Sequence, residues 1–379
     1  MSPMQPILWT VPWMVLVAAL PFLMRRRPRL ASYPSSPGEA PPRVSVVVPT
    51  HDDADRIGVC LATLMDSTYP DYEVIVVDCG SVDGTREIVQ AIRSRTPHRL
   101  RLTRAGPVPD GRPWRAWACM RGCREADGEL VLFTEPGTVH DGGLLTRAVA
   151  ALETEKAHLL TVQPRLTMGG FWERLVMPHV WLLLTMRFPS ARMVNRSRSP
   201  RNAFAHHQFM LFRREAYEEI GGHSIVRAGD VEDLRLPQAV VGAGQRLFRV
   251  HGEEYLETRL LRNFGDLSED WTGAVPPASS TTVAPWASAF IPWLVAVTPV
   301  LLFVLPSLAL GLGVALPGAA GPTTWGLWTA GLSLIFWLAI YTWYRIRPAY
   351  AVAYPAGALA TTVLFIRSLV RSRGGPPRA

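Results

Sequence analysis

The chain has 379 residues, 48% of them hydrophobic, and a net charge of +8 from 39 basic and 31 acidic residues. That length holds one domain of about 230 residues with membrane segments beside it. No RNP, zinc-finger or helix-turn-helix pattern accompanies the positive charge, which argues against a nucleic-acid partner and for a basic surface facing anionic lipid.

The four cysteines, Cys60, Cys79, Cys119 and Cys123, include one pair spaced four apart, with no second pair to complete a zinc site. They read as small buried hydrophobes of a reducing compartment.

In chain order, Ile7 to Met24 is an uncharged apolar run. At about 1.5 Å per residue it is just long enough to span a bilayer as a helix. Arg25, Arg26, Arg27 and Arg29 follow it. A secretory signal carries its charges before the apolar run, so the positive-inside rule places the next domain in the cytoplasm. Residues 1–29 are therefore read as a transmembrane helix with a basic flank, and 30–42 as a Pro- and Ser-rich linker.

Residues 43–271 form the expected globular domain. Two β-branched runs, Val44 to Pro49 and Tyr72 to Asp78, flank a segment with apolar residues at Ile57, Leu61 and Leu64. This is a βαβ unit. Its short continuous apolar strands belong to a parallel sheet covered on both faces. Polar clusters close both strands, Thr50-His51-Asp52-Asp53 and Asp78-Cys79-Gly80-Ser81, at the carboxyl ends where such sheets bind ligands. Asp83 before Gly84-Thr85 reads as a helix cap. A further strand is expected over Glu129 to Phe133, a helix from Glu232 to the Gly242-Ala243-Gly244 break, and a strand from Arg246 to Val250.

Phe171 to Phe188 is strongly apolar, with charge near its ends and Pro178 breaking it. It reads as a buried helix or as a helix in the membrane interface. After a second linker, 272–285, the region 286–379 holds three apolar stretches: Trp286 to Leu316, Thr323 to Tyr344 and Tyr350 to Ile366. Pro355 and Gly357 interrupt the last, leaving a span, a re-entrant segment and an interfacial one all open.

The two strands with Pro49-Thr50-His51-Asp52-Asp53 and Val77-Asp78-Cys79-Gly80-Ser81-Val82-Asp83-Gly84-Thr85 resemble the nucleotide-sugar half of family 2 glycosyltransferases. The resemblance continues in order. Arg115-Ala116-Trp117-Ala118 resembles the family's K-P-W-A, and Thr134-Glu135-Pro136-Gly137-Thr138 its T-D-A-D-T. Gln208-Phe209-Met210-Leu211-Phe212-Arg213-Arg214 and Ile220-Gly221-Gly222-His223 resemble the next block, with His206-His207 in place of N-G. Glu232-Asp233 matches the E-D motif, and Arg259 to Trp271 the closing segment. The processive Q-x-x-R-W is missing, which argues for a single transfer; the chain resembles the single-transfer members acting on carotenoids or hopanoids.

The resemblance implies a three-layer α/β GT-A (Rossmann-like) fold and an inverting transfer. The donor would be a nucleotide sugar, a UDP-sugar in preference to a GDP-sugar. The acceptor would be a lipid or another hydrophobic hydroxyl or carboxyl compound. The enzyme would sit in the inner membrane as a multi-pass protein with a cytoplasmic catalytic domain.

It also implies site residues. Asp233 would be the general base, beside Glu232. Helix N-termini favour ionised carboxylates. Pro49, Asp53, Asp78, Ser81, Arg115, Glu135, Gln208, Gly222 and Arg262 would contact the donor. A divalent metal, Mg2+ or Mn2+, would be held by Glu135, although in the family the first acid typically touches ribose and Gly137 replaces the second Asp, the metal ligand. His140 and His206-His207 are candidate substitutes. The altered motif leaves two other readings, a degenerate donor-binding protein and, more weakly, a polysaccharide synthase.

Overall fold

The computed structural model describes residues 10–24, 28–188, 190–259, 281–315 and 320–371. The chain divides into two compact units. One comprises Arg26–Thr167 and Ala191–Leu260, the other Met1–Arg25, Met168–Ser190 and Leu261–Ala379.

The first unit is built on a seven-stranded sheet of order β3-β2-β1-β4-β8-β6-β9. The strands are β1 (Val44–Thr50), β2 (Tyr72–Asp78), β3 (Leu100–Arg104), β4 (Leu130–Phe133), β6 (Leu159–Gln163), β8 (Met210–Arg213) and β9 (Leu247–His251). Strands β3, β2, β1 and β4 run parallel. β8 runs against both β4 and β6, making the sheet mixed rather than wholly parallel. A second sheet, β5-β10-β7, comprises Thr138–His140, Leu256–Thr258 and Arg165–Leu166.

Every residue of β1 and β2 is buried, which explains their unbroken apolar text. Val46, Val48, Val74 and Val76 enter one core with Ile57, Leu61, Leu144 and Leu152. The opposite face is covered by the helix Trp114–Glu125, which packs on β1 and β2. The β1–β4 pairing ends at Val47–Phe133. Pro49 lies beyond it, so its missing N–H disturbs no bond on that flank.

This arrangement fixes the site. Thr50 pairs with Asp78 at the last position of β1 and β2, and the β4 end delivers Thr134 and Glu135 beside them in the sheet. The antiparallel pairing of β10 with β5 matches Thr258 to Thr138, bringing the far end of the domain back to the β4 turn.

In the second unit three helical segments are long and apolar enough to cross a membrane: Ile291–Ala315, Thr323–Trp343 and Pro348–Val370. The amino-terminal run contributes the 13-residue apolar helix Val11–Leu23. The helix Phe171–Arg187 belongs to this unit and is buried from Leu175 to Leu182. It runs through Pro178 without breaking, packed against the helix Tyr354–Arg371. His179 stacks on Trp337 with ring centres 3.7 Å apart, and Tyr341 donates a hydrogen bond to the Leu175 carbonyl at 3.0 Å. Tertiary contacts hold the turn that proline leaves one bond short.

Candidate functional site

The two strand-end loops are stitched to each other. Asp52 N–H donates to Ser81 Oγ at 3.0 Å, and Val82 N–H donates back to Asp52 Oδ1 at 2.8 Å. Asp53 N–H donates to Thr85 Oγ1 at 2.8 Å, and Ala54 N–H to Asp83 Oδ2 at 2.9 Å. Asp83 also accepts from Thr85 N–H at 3.0 Å, from one residue ahead of the cap position, which Gly84 occupies.

Asp53 and Asp78 are each 2% exposed. Asp53 accepts from Thr50 Oγ1 at 3.0 Å and from His51 N–H at 3.1 Å, and pairs with Arg56. Asp78 accepts from Ser81 N–H at 3.0 Å and lies 3.5 Å from Arg86 Nε. At the rim the half-exposed rings of His51 and Trp114 lie 5.6 Å apart.

The second half of the site is a charge network that no single motif announces. Arg115 stands on the first turn of the helix Trp114–Glu125. Its Nη1 lies 3.1 Å from Glu135 Oε2, and its Nε lies 3.2 Å from Glu232 Oε2. His207 Nε2 lies 3.2 Å from the same Glu135 Oε2. Its Nδ1 lies 2.7 Å from Asp233 Oδ1. With both ring nitrogens facing carboxylates, the imidazole carries two protons.

The electrostatics follow this geometry. Burial alone would raise the Glu135 carboxyl, but His207 and Arg115 outweigh it and hold it well below the carboxylate range. Burial likewise opposes ionisation of Glu232, yet Arg115 and His223 bring it down to about 2. His207 is penalised by burial, then lifted to about 10 by Asp233 and Glu135. At neutral pH charge alternates from Glu232 through Arg115 and Glu135 to His207, whose Nδ1 faces Asp233.

Glu232 and Asp233 are the first two residues of the helix Glu232–Gly242, where the backbone dipole favours negative charge. Glu232 is tied down from behind. Its Oε1 lies 3.1 Å from His223 Nε2, and His223 Nδ1 is 2.8 Å from Tyr217 Oη. Asp233 Oδ1 accepts a second bond, from His207 N–H at 2.8 Å. Asp233 Oδ2 has no hydrogen-bond partner among the described residues.

His206 and His207 do not sit in a strand. They precede β8 in a turn closed by Phe209 N–H donating to the His206 carbonyl at 3.0 Å. Their side chains nonetheless part. His206 is buried beside Phe204, and only His207 reaches the acids. Gln208 places its amide 2.7 Å from His207 Nε2. Gly222 has φ +52°, and a Cβ there would come within 2.3 Å of the Tyr217 ring. Its glycine is required by the Tyr217–His223–Glu232 chain itself. Arg262 lies outside the described residues.

The donor set around Glu135 does not fit a divalent metal. Oε2 is shared by Arg115 and His207, and Oε1 accepts from Thr258 Oγ1 at 3.1 Å. Gly137 offers no ligand atom. His140 is hydrogen-bonded to Thr134 Oγ1 at 3.0 Å, and burial lowers it to about 3. A different trio, Cys119, His223 and Glu232, has ligand atoms within 4.8 Å of one another. Both His223 nitrogens are engaged there, and burial pushes the Cys119 thiol well up. Metal binding would have to undo those contacts.

Sequence reasoning found Glu135, Glu232, Asp233 and Arg115 but weighed His207 only as a metal ligand, and passed over Thr258 and the Tyr217–His223 support. The one available signal was a charged side chain, His207, where the resembling family has glycine.

Residues 45–221 match the family model described as "Glycosyl transferase family 2". Glycosyltransferase AglE of Haloferax volcanii is 49% identical over 51 residues, 13% of this chain and 17% of that protein. The poly(ribitol-phosphate) beta-N-acetylglucosaminyltransferase TarS of Staphylococcus aureus is 26% identical over 123 residues, 32% of this chain and 21% of that protein. The chain thus spans only a minor part of the curated relatives it matches. The mannosyltransferase PcManGT of Pyrobaculum calidifontis, solved with GDP-Man and Mn2+, superposes with a TM-score of 0.51 at 18% identity, covering 97% of this chain and 94% of its own. That likeness establishes the GT-A fold.

Proposed function

The chain carries a glycosyl transferase family 2 domain over residues 45–221, and from that premise we propose that it moves a sugar from a nucleotide-sugar donor to a hydrophobic hydroxyl acceptor, with inversion. The observation that carries this reading is the state of Asp233. One oxygen is held by the His207 ring at 2.7 Å. The other has no hydrogen-bond partner among the described residues. A base must lie within hydrogen-bond reach of the proton it removes, and Oδ2 is the atom we assign to that role.

In the proposed step the acceptor oxygen forms a bond to the anomeric carbon. The bond from that carbon to the diphosphate oxygen breaks, and its electron pair leaves with the nucleoside diphosphate. The acceptor proton passes to Asp233. Asp53, Asp78 and Ser81, at adjacent strand ends, form the nucleotide side of the pocket, as the carboxyl ends of parallel strands do in other α/β folds. Pro49, Gln208 and Gly222 complete the donor contacts.

The lipid acceptor is supported by three helices long and apolar enough to cross a membrane, which would hold the enzyme where hydrophobic acceptors partition. The basic stretch 25–29 supports a cytoplasmic catalytic domain in a multi-pass inner-membrane protein. The test is transfer by full-length protein in detergent, offered UDP- and GDP-sugars with lipid extracts. One glycosylated product, abolished in Asp233→Asn, supports the reading. A ladder of products would point to a polymerase. Donor binding without transfer to any acceptor would point to a binding protein.

A further inference from the structure

Around Glu135 the chain has placed cations where the resembling family places a metal. Glu135 Oε2 sits between Arg115 Nη1 at 3.1 Å and His207 Nε2 at 3.2 Å. Two residues on, a Cβ at Gly137 would lie 3.6 Å from Arg56 Nη1 and 3.1 Å from the Arg259 carbonyl. Arg56 is itself held by its ion pair with Asp53. A carboxylate at 137 would therefore grow toward a guanidinium, and a divalent ion on Glu135 would have to displace the two nitrogen contacts already on the same oxygen. The lost ligand and the gained cations belong together.

We propose that Arg115 and His207, with Arg56 beside Gly137, take the place of a divalent metal at the donor's diphosphate. Nucleoside diphosphate then binds, and its sugar is transferred, without a metal ion. Guanidinium groups suit this task, because their fork of N–H donors matches phosphate oxygens in pairs. Glu135 and Glu232 hold Arg115 in place before the donor arrives, and Glu135 and Asp233 do the same for His207. When the anomeric bond breaks, the electron pair stays on the diphosphate oxygen, and the N–H groups of Arg115 and His207 donate hydrogen bonds to it. The proposal rests on the glycosyltransferase reading above.

The experiment is calorimetric titration of full-length protein in detergent with UDP and with GDP, each in excess EDTA and again in millimolar Mn2+. The expected result is that one nucleotide binds in EDTA with a Kd within about threefold of its value in Mn2+. Arg115→Gln and His207→Gln, confirmed folded by circular dichroism, each weaken that binding about tenfold, as removal of a charged hydrogen bond does. Binding seen only with Mn2+ overturns the proposal and leaves the glycosyltransferase reading standing. Binding in EDTA that neither variant weakens also overturns it. If neither nucleotide binds under either condition, the glycosyltransferase reading falls and the proposal with it. The wild-type comparison decides the question even where a variant misfolds.

Discussion

Asp233 and His207 meet twice: the carboxylate Oδ1 takes the His207 ring Nδ1 at 2.7 Å and its backbone N–H at 2.8 Å. Both contacts fall on one oxygen, which fixes the side chain and leaves the other oxygen without a hydrogen-bond partner among the described residues. This gives the proposed base a fixed direction. Asp233→Asn keeps the shape and removes proton acceptance. It is expected to lower kcat by about 10²–10⁴-fold while the donor Kd changes little. A Kd that rises in step with the loss of kcat would instead make Asp233 a donor-binding residue.

The same pair predicts a pH dependence of stability. His207 is raised to about 10 in the folded domain, from about 6.5 in an unfolded chain. Its contribution is complete below about 6.5 and is lost as pH climbs toward 10. Glu232 is lowered to about 2, so its contribution is complete above about 4.3 and is lost as pH falls toward 2. Stability of the nucleotide-binding unit should plateau between these limits. His207→Gln should flatten the alkaline limb, while lowering the plateau by on the order of 3 kcal/mol as Asp233 and Glu135 lose their partner. Thermal melts from pH 4 to 10 would show it; an alkaline limb unchanged in His207→Gln would refute the assignment.

The fold was legible where the signal is local. Continuous β-branched runs announced β1 and β2, and Asp83-Gly84-Thr85 announced a helix start, because each depends on neighbours in sequence. Asp233 and Glu135 stood out through motif spacing. The salt network did not, because Arg115, Glu135, His207 and Glu232 are joined only by the sheet order and by β10 returning Thr258 to the β4 turn. His207 was hidden twice. Its motif position holds glycine in the resembling family, and its partner pattern reads as a metal ligand until the geometry shows carboxylates on both nitrogens. Pro178 misled for a related reason, since tertiary packing overrode its local tendency to end a helix.

Gly222 tests whether the support behind Glu232 matters. A methyl group there would overlap the Tyr217 ring, since Cζ is 2.3 Å from the Cβ position, and φ +52° is itself unfavourable for a side chain. Gly222→Ala should cost about 1–3 kcal/mol. It should also lower kcat by displacing His223 from Glu232. A stable, fully active Gly222→Ala would show that the Tyr217–His223 chain does not position the acids.

Gly357 plays the corresponding part in the helical unit. A Cβ there would lie 2.5 Å from His179 Cε1 and 2.7 Å from the Leu175 carbonyl oxygen. The glycine that interrupts the last apolar stretch in sequence is thus a point of close approach between Tyr354–Arg371 and Phe171–Arg187. Small residues allow such close backbone contact between helices in a membrane. Gly357→Ala should destabilise the unit by about 1–3 kcal/mol, read as a lower melting temperature in detergent. His179→Ala clears one of the two obstructions, so the double variant should recover part of the loss, a coupling between neighbours that a cycle of single and double variants measures. The Leu175 carbonyl remains, so recovery should be incomplete. Strictly additive losses would mean that the two helices do not meet at this glycine.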